Sequence, residues 1–93
     1  MSYNPRRALL FTPADDLHKI SKAAALGVDC VIMDLEDAIA PDRKHVARQM
    51  AAQALQTLTF GRTERLVRLN ALNTADFEAD LRAVLPACLL YTS

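Results

Sequence analysis

The sequence contains no tryptophan, only two glycines and only two cysteines. It therefore has no glycine-rich phosphate loop, and the Gly-x-Ser-x-Gly nucleophile motif is also missing. The two cysteines, Cys30 and Cys88, do not have metal-ligand spacing, and no cysteine or histidine cluster accompanies them. Reduced thiols in a cytoplasmic protein are the simplest account of both residues.

The chain also lacks an excess of charge and a long apolar run. Eleven basic and eleven acidic residues give a formal net charge of zero, which argues against a nucleic-acid-binding protein. The first apolar run, Ala8 to Phe11, is too short for a signal-peptide core or a membrane span. The 93 residues are 52% hydrophobic and 24% charged, a globular composition with room for one small domain or one piece of a larger one.

Three short apolar runs, at about 8–12, 30–34 and 66–70, alternate with segments of helical periodicity. The runs predict strands, and the order βαβαβα predicts parallel strands in an α/β fold. In the second helix we expect Val46, Met50 and Leu55 to form the apolar stripe. Capping and helix-breaking residues mark the expected helix boundaries, namely Asp15 or Asp16, Gly27, Pro41, Gly61 and Thr74, and the stripe of the second helix extends to about Leu58.

The second predicted strand runs directly into three carboxylates, Asp34, Glu36 and Asp37. Ligands bind at the carboxyl ends of parallel strands, so this is a candidate site. If the pleat persists, Asp34 and Glu36 share one face and Asp37 lies on the other. Three acids so close together repel one another unless a cation, an arginine or a hydrogen-bond network offsets them. A solvated acidic turn is the alternative, and the spacing alone does not decide between the two.

Residues 7–13 (RALLFTP), 34–41 (DLEDAIAP) and 67–70 (VRLN), in this order, resemble the citrate lyase beta-subunit family, which includes malyl-coenzyme A lyase. The resemblance implies that residues 1–86 are the first three βα units of an incomplete (β/α)8 TIM barrel. Residues 87–93 continue neither the helical stripe nor a turn pattern, and we expect a tail of doubtful origin there. The implied activity is magnesium-dependent cleavage or formation of a carbon–carbon bond in a small hydroxy acid or its acyl-coenzyme A thioester.

The same resemblance implies the site residues. Arg68 would pair with a carboxylate of the small acid, and its planar fork suits that role because it matches a carboxylate with two hydrogen bonds. The structural alternative is that Arg68 pairs with Glu36 or Asp37. In the family these two acids would have a catalytic role at the rim of the magnesium site, where they orient its waters. The direct magnesium ligands are expected on later strands.

Three more residues have implied contacts, and two positions depart from the family pattern. Phe11 and Thr12 would touch the substrate or coenzyme, and Lys22 would meet the phosphates of coenzyme A. Ala14 and Asp16 stand where members commonly have glycine and arginine, and an aspartate there repels a phosphate. A free acid or a carrier-protein thioester therefore stays open as the substrate.

Two other functions remain open. One is a metal-dependent aldolase that releases pyruvate from a free hydroxy-keto acid, and the other is a non-catalytic binding protein derived from the barrel. In each case we expect small-molecule partners, without a nucleic-acid or membrane partner. We also expect the full-length protein to be a homo-oligomer.

Overall fold

The computed structural model describes residues 8–92, with side chains as far as Ala87. Arg7 of the first sequence block and the side chain of Cys88 lie outside this description. The elements are β1 (Leu9–Pro13), α1 (Leu17–Ala25), β2 (Cys30–Asp34), a 3₁₀ turn (Pro41–Arg43), α2 (Lys44–Thr57), β3 (Glu64–Arg68) and α3 (Ala75–Thr92).

The strands form one parallel sheet in the order β1-β2-β3, which confirms the predicted α/β fold. Pro13, Asp34 and Arg68 are the last residues of their strands, and they are in register across the sheet. The three carboxyl ends therefore meet at one edge. Residues that follow the strands are brought together there, as expected for a ligand site in such a fold.

The helices cover one face of the sheet and leave the other open. Val31 and Met33 lie on the covered face and are fully buried, together with Ile20 of α1 and Leu55 of α2. On the opposite face, Leu9, Phe11 and Leu66 are about half exposed. The described residues thus leave an apolar sheet face uncovered. Among residues 8–92, no helix combines the length and apolar character needed to cross a membrane.

Local sequence signals act as predicted. The Asp16 side chain accepts a hydrogen bond from the Lys19 N–H at 3.1 Å, which caps α1. The Thr74 hydroxyl accepts one from the Phe77 N–H at 3.1 Å at the start of α3. Gly27, with φ of 73°, supplies the left-handed residue that follows the end of α1.

The strand boundaries differ from the prediction. The third strand spans Glu64–Arg68 rather than 66–70, because the Glu64 N–H pairs with the Asp29 carbonyl and the Leu35 N–H pairs with the Arg68 carbonyl. The second strand ends at Asp34, so the pleat does not persist through the next residues. The acids at 36 and 37 lie in the bend that follows.

The helices differ in two ways. In α2 the buried residues are Ala47, Ala51, Ala54 and Leu55, whereas Val46 and Met50 are only partly buried. Small alanines therefore form most of the face of α2 that lies in the core.

The second difference is the end of α3, which runs through Pro86 to Thr92 instead of ending at the proline. Val84 and Ala87 are both buried, so packing on either side of Pro86 offsets the missing N–H. Helix α3 therefore continues past the boundary expected at residue 86. The origin of residues 87–93 stays a prediction.

Candidate active site

The guanidinium of Arg68 and the carboxylate of Asp34 form the centre of the site. Nε of Arg68 donates to Oδ1 of Asp34 at 2.9 Å, and Nη2 donates to Oδ2 at 2.7 Å. This is the two-point geometry in which arginine binds a carboxylate most strongly. The side chain of Asp34 is 2% exposed, whereas that of Arg68 is 38% exposed. The pair thus fixes a cation at the surface by means of a buried anion.

Asp34 also organises the loop that follows it. Its Oδ1 accepts a hydrogen bond from the Glu36 N–H at 2.8 Å, and its Oδ2 accepts one from the Ala38 N–H at 3.1 Å. The hydrogen bonds from Arg68 hold the pKa of Asp34 below its ordinary value, and the two backbone N–H groups act in the same direction against burial. Asp34 in turn raises the pKa of Arg68. The pair is therefore ionised at neutral pH.

Glu36 and Asp37 surround the same guanidinium at a longer distance. A carboxylate oxygen of each lies 3.8 Å from a nitrogen of Arg68. The Asp37 side chain is 80% exposed, so its attraction to Arg68 is largely screened by water. The structural alternative predicted from the sequence named these two acids as the partners of Arg68. The close partner is instead Asp34.

Phe11 joins this cluster from β1. Its half-exposed ring lies on the open face of the sheet, and Cζ of Arg68 is 5.2 Å from the ring centroid. That distance is within the range of a cation–π contact. The structure therefore brings together Phe11, Glu36, Asp37 and Arg68, four of the six predicted site residues.

The two remaining predicted site residues are Thr12 and Lys22. Thr12 is buried, since successive strand residues point to opposite faces and its neighbour Phe11 points to the open one. Lys22 is exposed on α1. Both residues line a shallow groove of about 290 Å³ along β1, to which Phe11 also contributes. The role implied for each of the six residues stays a prediction.

Sequence reasoning did not assign Asp34 a role at the site. It shares the acidic cluster with Glu36 and Asp37, but the expected strand at 66–70 placed Arg68 in mid-strand. A correct end of β3 would have aligned Asp34 with Arg68. The pairing of Asp34 with Arg68 could therefore be predicted only from the correct register of β2 and β3.

Among the described side chains, those of residues 8–87, no group of three or more His, Cys, Asp or Glu is placed so that it could hold a metal ion. The most buried acid of the cluster, Asp34, already accepts four hydrogen bonds.

Residues 7–89 match the family described as HpcH/HpaI aldolase/citrate lyase. The mitochondrial citramalyl-CoA lyase of Rattus norvegicus is 42% identical over 91 residues, which cover 98% of this chain and 27% of the relative. Citrate lyase subunit beta of Leuconostoc mesenteroides subsp. cremoris is 35% identical over 82 residues, which cover 88% of this chain and 27% of the relative.

A solved structure gives a similar result. The protein CitE from Mycobacterium tuberculosis, in complex with magnesium, acetoacetate and coenzyme A, superposes with a TM-score of 0.69 at 40% identity. The match covers 85% of this chain and 28% of that one. The three strands and their helices therefore correspond to part of a much longer fold. The chain spans about a quarter of the length of the curated relatives it matches.

Proposed function

Because the chain belongs to the HpcH/HpaI aldolase/citrate lyase family, we propose that the full-length protein is a magnesium-dependent carbon–carbon lyase. Its substrate is a small hydroxy acid or the acyl-coenzyme A thioester of one. The names of the relatives and the ligands of the M. tuberculosis protein support this substrate class. We also propose that the protein forms a homo-oligomer and is cytoplasmic.

The observation that carries the proposal is the state of Arg68. Asp34 engages the Nε and Nη2 edge of the guanidinium, and no described residue accepts a hydrogen bond from Nη1. The group is therefore held rigidly on one side, and on the other side its donors have no partner among the described residues. A carboxylate of the substrate can bind those donors without reorganisation of the side chain, which is the preorganisation that a binding site needs.

The charges around Arg68 also support a bound cation. Asp34, Glu36 and Asp37 all lie within 4 Å of the guanidinium, so these four side chains carry two more negative charges than positive ones. Water screens part of this excess at the exposed Asp37, and the remainder opposes an anionic substrate. A divalent cation beside the cluster would cancel the excess, and this supports the proposed use of magnesium.

The roles of the residues of this chain follow. Arg68 binds and orients a carboxylate of the substrate, Asp34 fixes the guanidinium, and the ring of Phe11 limits its movement on the open face. Glu36 and Asp37 form the acidic rim. Magnesium, when bound, would stabilise negative charge on the oxygens of the acid, and its direct ligands are expected outside residues 8–92.

The experiment is an assay of the full-length protein with citramalyl-CoA and malyl-CoA, with and without magnesium. We expect a keto acid and a shortened acyl-CoA to form, and chelation of the metal to stop the reaction. Free hydroxy-keto acids are tested in parallel, because cleavage of these alone would favour the pyruvate-releasing aldolase. Release of free thiol without a keto acid would contradict the lyase, since hydrolysis leaves the carbon–carbon bond intact.

A further inference from the structure

A polar cluster contacts the backbone of the acidic loop, residues 35–40, which joins β2 to the 3₁₀ turn. At its centre, Nζ of Lys44 donates to the backbone carbonyls of Leu35 at 2.9 Å and Glu36 at 2.7 Å, and to Oδ1 of Asn70 at 2.8 Å. All three protons of the ammonium are therefore used. Lys44 is the first residue of α2, so this contact ties the helix directly to the loop.

The partners of Lys44 are themselves fixed. The amide nitrogen of Asn70 donates to the Leu35 carbonyl at 3.0 Å and to Oδ2 of Asp80 at 2.7 Å. Asp80 is fully buried, and its Oδ1 accepts a hydrogen bond from Nε of Arg48 at 2.7 Å. No described buried side-chain oxygen or nitrogen lacks a partner. A fully satisfied buried network of this kind specifies one arrangement of its members.

The consequence for the loop is that its backbone is held from two sides. The Asp34 carboxylate accepts the N–H groups of Glu36 and Ala38, and the Lys44 ammonium binds the carbonyls of Leu35 and Glu36. Both polar groups of the Glu36 backbone are thus fixed by charged side chains. From this clamped backbone, the Glu36 side chain reaches to 3.8 Å from Nε of Arg68.

We propose that Lys44 is a positioning residue for the reaction, acting through the acidic loop rather than by contact with the substrate. This rests on the proposed lyase function and adds a residue to it. Lys44 holds the backbone that carries Glu36 and Asp37, whereas both close hydrogen bonds of Arg68 go to the carboxylate of Asp34. Loss of Lys44 therefore disturbs the acidic rim and leaves the carboxylate-binding group in place. The kinetic signature is a fall in kcat with little change in KM.

The test compares two variants of the full-length enzyme. Lys44→Met removes the donors at similar side-chain length, and we expect kcat to fall about ten- to a hundredfold, the effect of a displacement on the order of 1 Å at a reacting group. Gln49→Gly is the matched control, because it weakens the same helix at an exposed position away from the loop. It should lower the melting temperature without lowering kcat. Hydrogen exchange at residues 35–39, measured without substrate, should accelerate in the first variant only.

A chemical rescue separates the hydrogen bonds from simple charge. Lys44→Ala leaves a gap that propylammonium can enter, and this ion should restore part of kcat. Tetramethylammonium carries the same charge but no N–H group, so it should restore nothing. Equal effects of the two ions would overturn the proposed role of the three hydrogen bonds.

The outcomes also separate this inference from the proposed function. A wild-type enzyme without lyase activity would overturn the proposed function and the role of Lys44 with it. An active wild type whose Lys44→Met variant keeps its kcat would overturn the inference alone. So would an equal loss of kcat in Gln49→Gly, because the effect would then come from helix stability.

Discussion

Replacing Asp34 with asparagine removes the buried charge that fixes Arg68 and the acidic loop. The carboxylate accepts four hydrogen bonds between 2.7 and 3.1 Å, two on each oxygen. Asparagine has one acceptor oxygen, and its NH₂ group takes the place of the other. In either orientation that group faces one N–H of Arg68 and one backbone N–H, so two hydrogen bonds are lost and donors oppose donors.

The expected cost follows from those two bonds. A hydrogen bond to a charged group contributes about 1.5–3 kcal/mol net. Water can reach the exposed guanidinium and replace part of what it loses, so we take the lower end for each bond. The free energy of unfolding of the full-length protein should then fall by about 3 kcal/mol at pH 7.

The cost should also depend on pH. The folded-state pKa of Asp34 is lowered, chiefly by Arg68, so the stabilisation is fully present above the unfolded value of about 4 and is lost as the pH falls through the folded pKa. The difference in the free energy of unfolding between wild type and Asp34→Asn should therefore be constant near neutral pH and become smaller below about pH 4. Urea unfolding across this range measures both properties.

The matched control is Asp37→Asn, which neutralises an exposed acid 3.8 Å from the same guanidinium. Its effect should stay within about 0.5 kcal/mol, as for other exposed pairs. Equal effects of the two substitutions at pH 7 would refute the account of Asp34, and so would a difference from wild type that does not become smaller in acid.

Three further predictions concern stability and the isolated chain. Thr74→Ala should lower the free energy of unfolding by about 1 kcal/mol through loss of the α3 cap, with Thr74→Ser near wild type; equal urea midpoints for all three proteins would contradict this. Asp80→Asn should lower the free energy of unfolding by about 3 kcal/mol, because it leaves Arg48 without its buried partner. Glu78→Gln, on the exposed face of the same helix, should have a much smaller effect. The 93-residue chain alone should show no magnesium-dependent lyase turnover. Its uncovered sheet face should make it associate or pack loosely. A cooperative melting transition of a monomer, independent of concentration, would contradict this expectation of association or loose packing.

Much of the fold could be predicted because its signals are local. Short apolar runs indicate the strands, Asp16 and Thr74 cap their helices by their own side chains, and Gly27 provides a conformation that other residues resist. These signals involve neighbours within a few positions. They therefore act before any tertiary contact forms.

The predicted bounds of β3 and α3 were wrong because contacts between residues distant in the sequence determine them. Pairing with β2 moved β3 by two residues, and packing of Val84 and Ala87 carried α3 through Pro86. Lys44 and Asp80 lie on helices, and helical periodicity alone does not predict their partners. Each becomes buried or paired only when β2, β3 and two helices meet.

The site was predicted in the same uneven way. The acidic loop and Arg68 stand out in the sequence because charges follow apolar strands. The partner of Arg68 did not stand out, because the choice of Asp34 over Glu36 or Asp37 depends on strand register. A pattern can thus indicate which groups meet, while the structure decides which of them touch.

The central claim is that Arg68 binds a carboxylate of the substrate, and Arg68→Lys in the full-length enzyme tests it. Lysine keeps the charge but loses the planar two-point geometry. We expect kcat/KM to fall on the order of ten- to a hundredfold, with a smaller effect on folding. Arg65→Lys is the control, since it lies on the same strand with its side chain on the other face.

The most direct measurement pairs this variant with a substrate analogue that lacks the carboxylate. If Arg68 binds that group, the kcat/KM of wild type should be much lower with the analogue than with the substrate. The kcat/KM of Arg68→Lys should differ little between the two compounds. The two changes would then be strongly non-additive. Additive losses, or an unchanged kcat/KM in folded Arg68→Lys, would contradict the claim and leave Arg68 as a structural partner of Asp34.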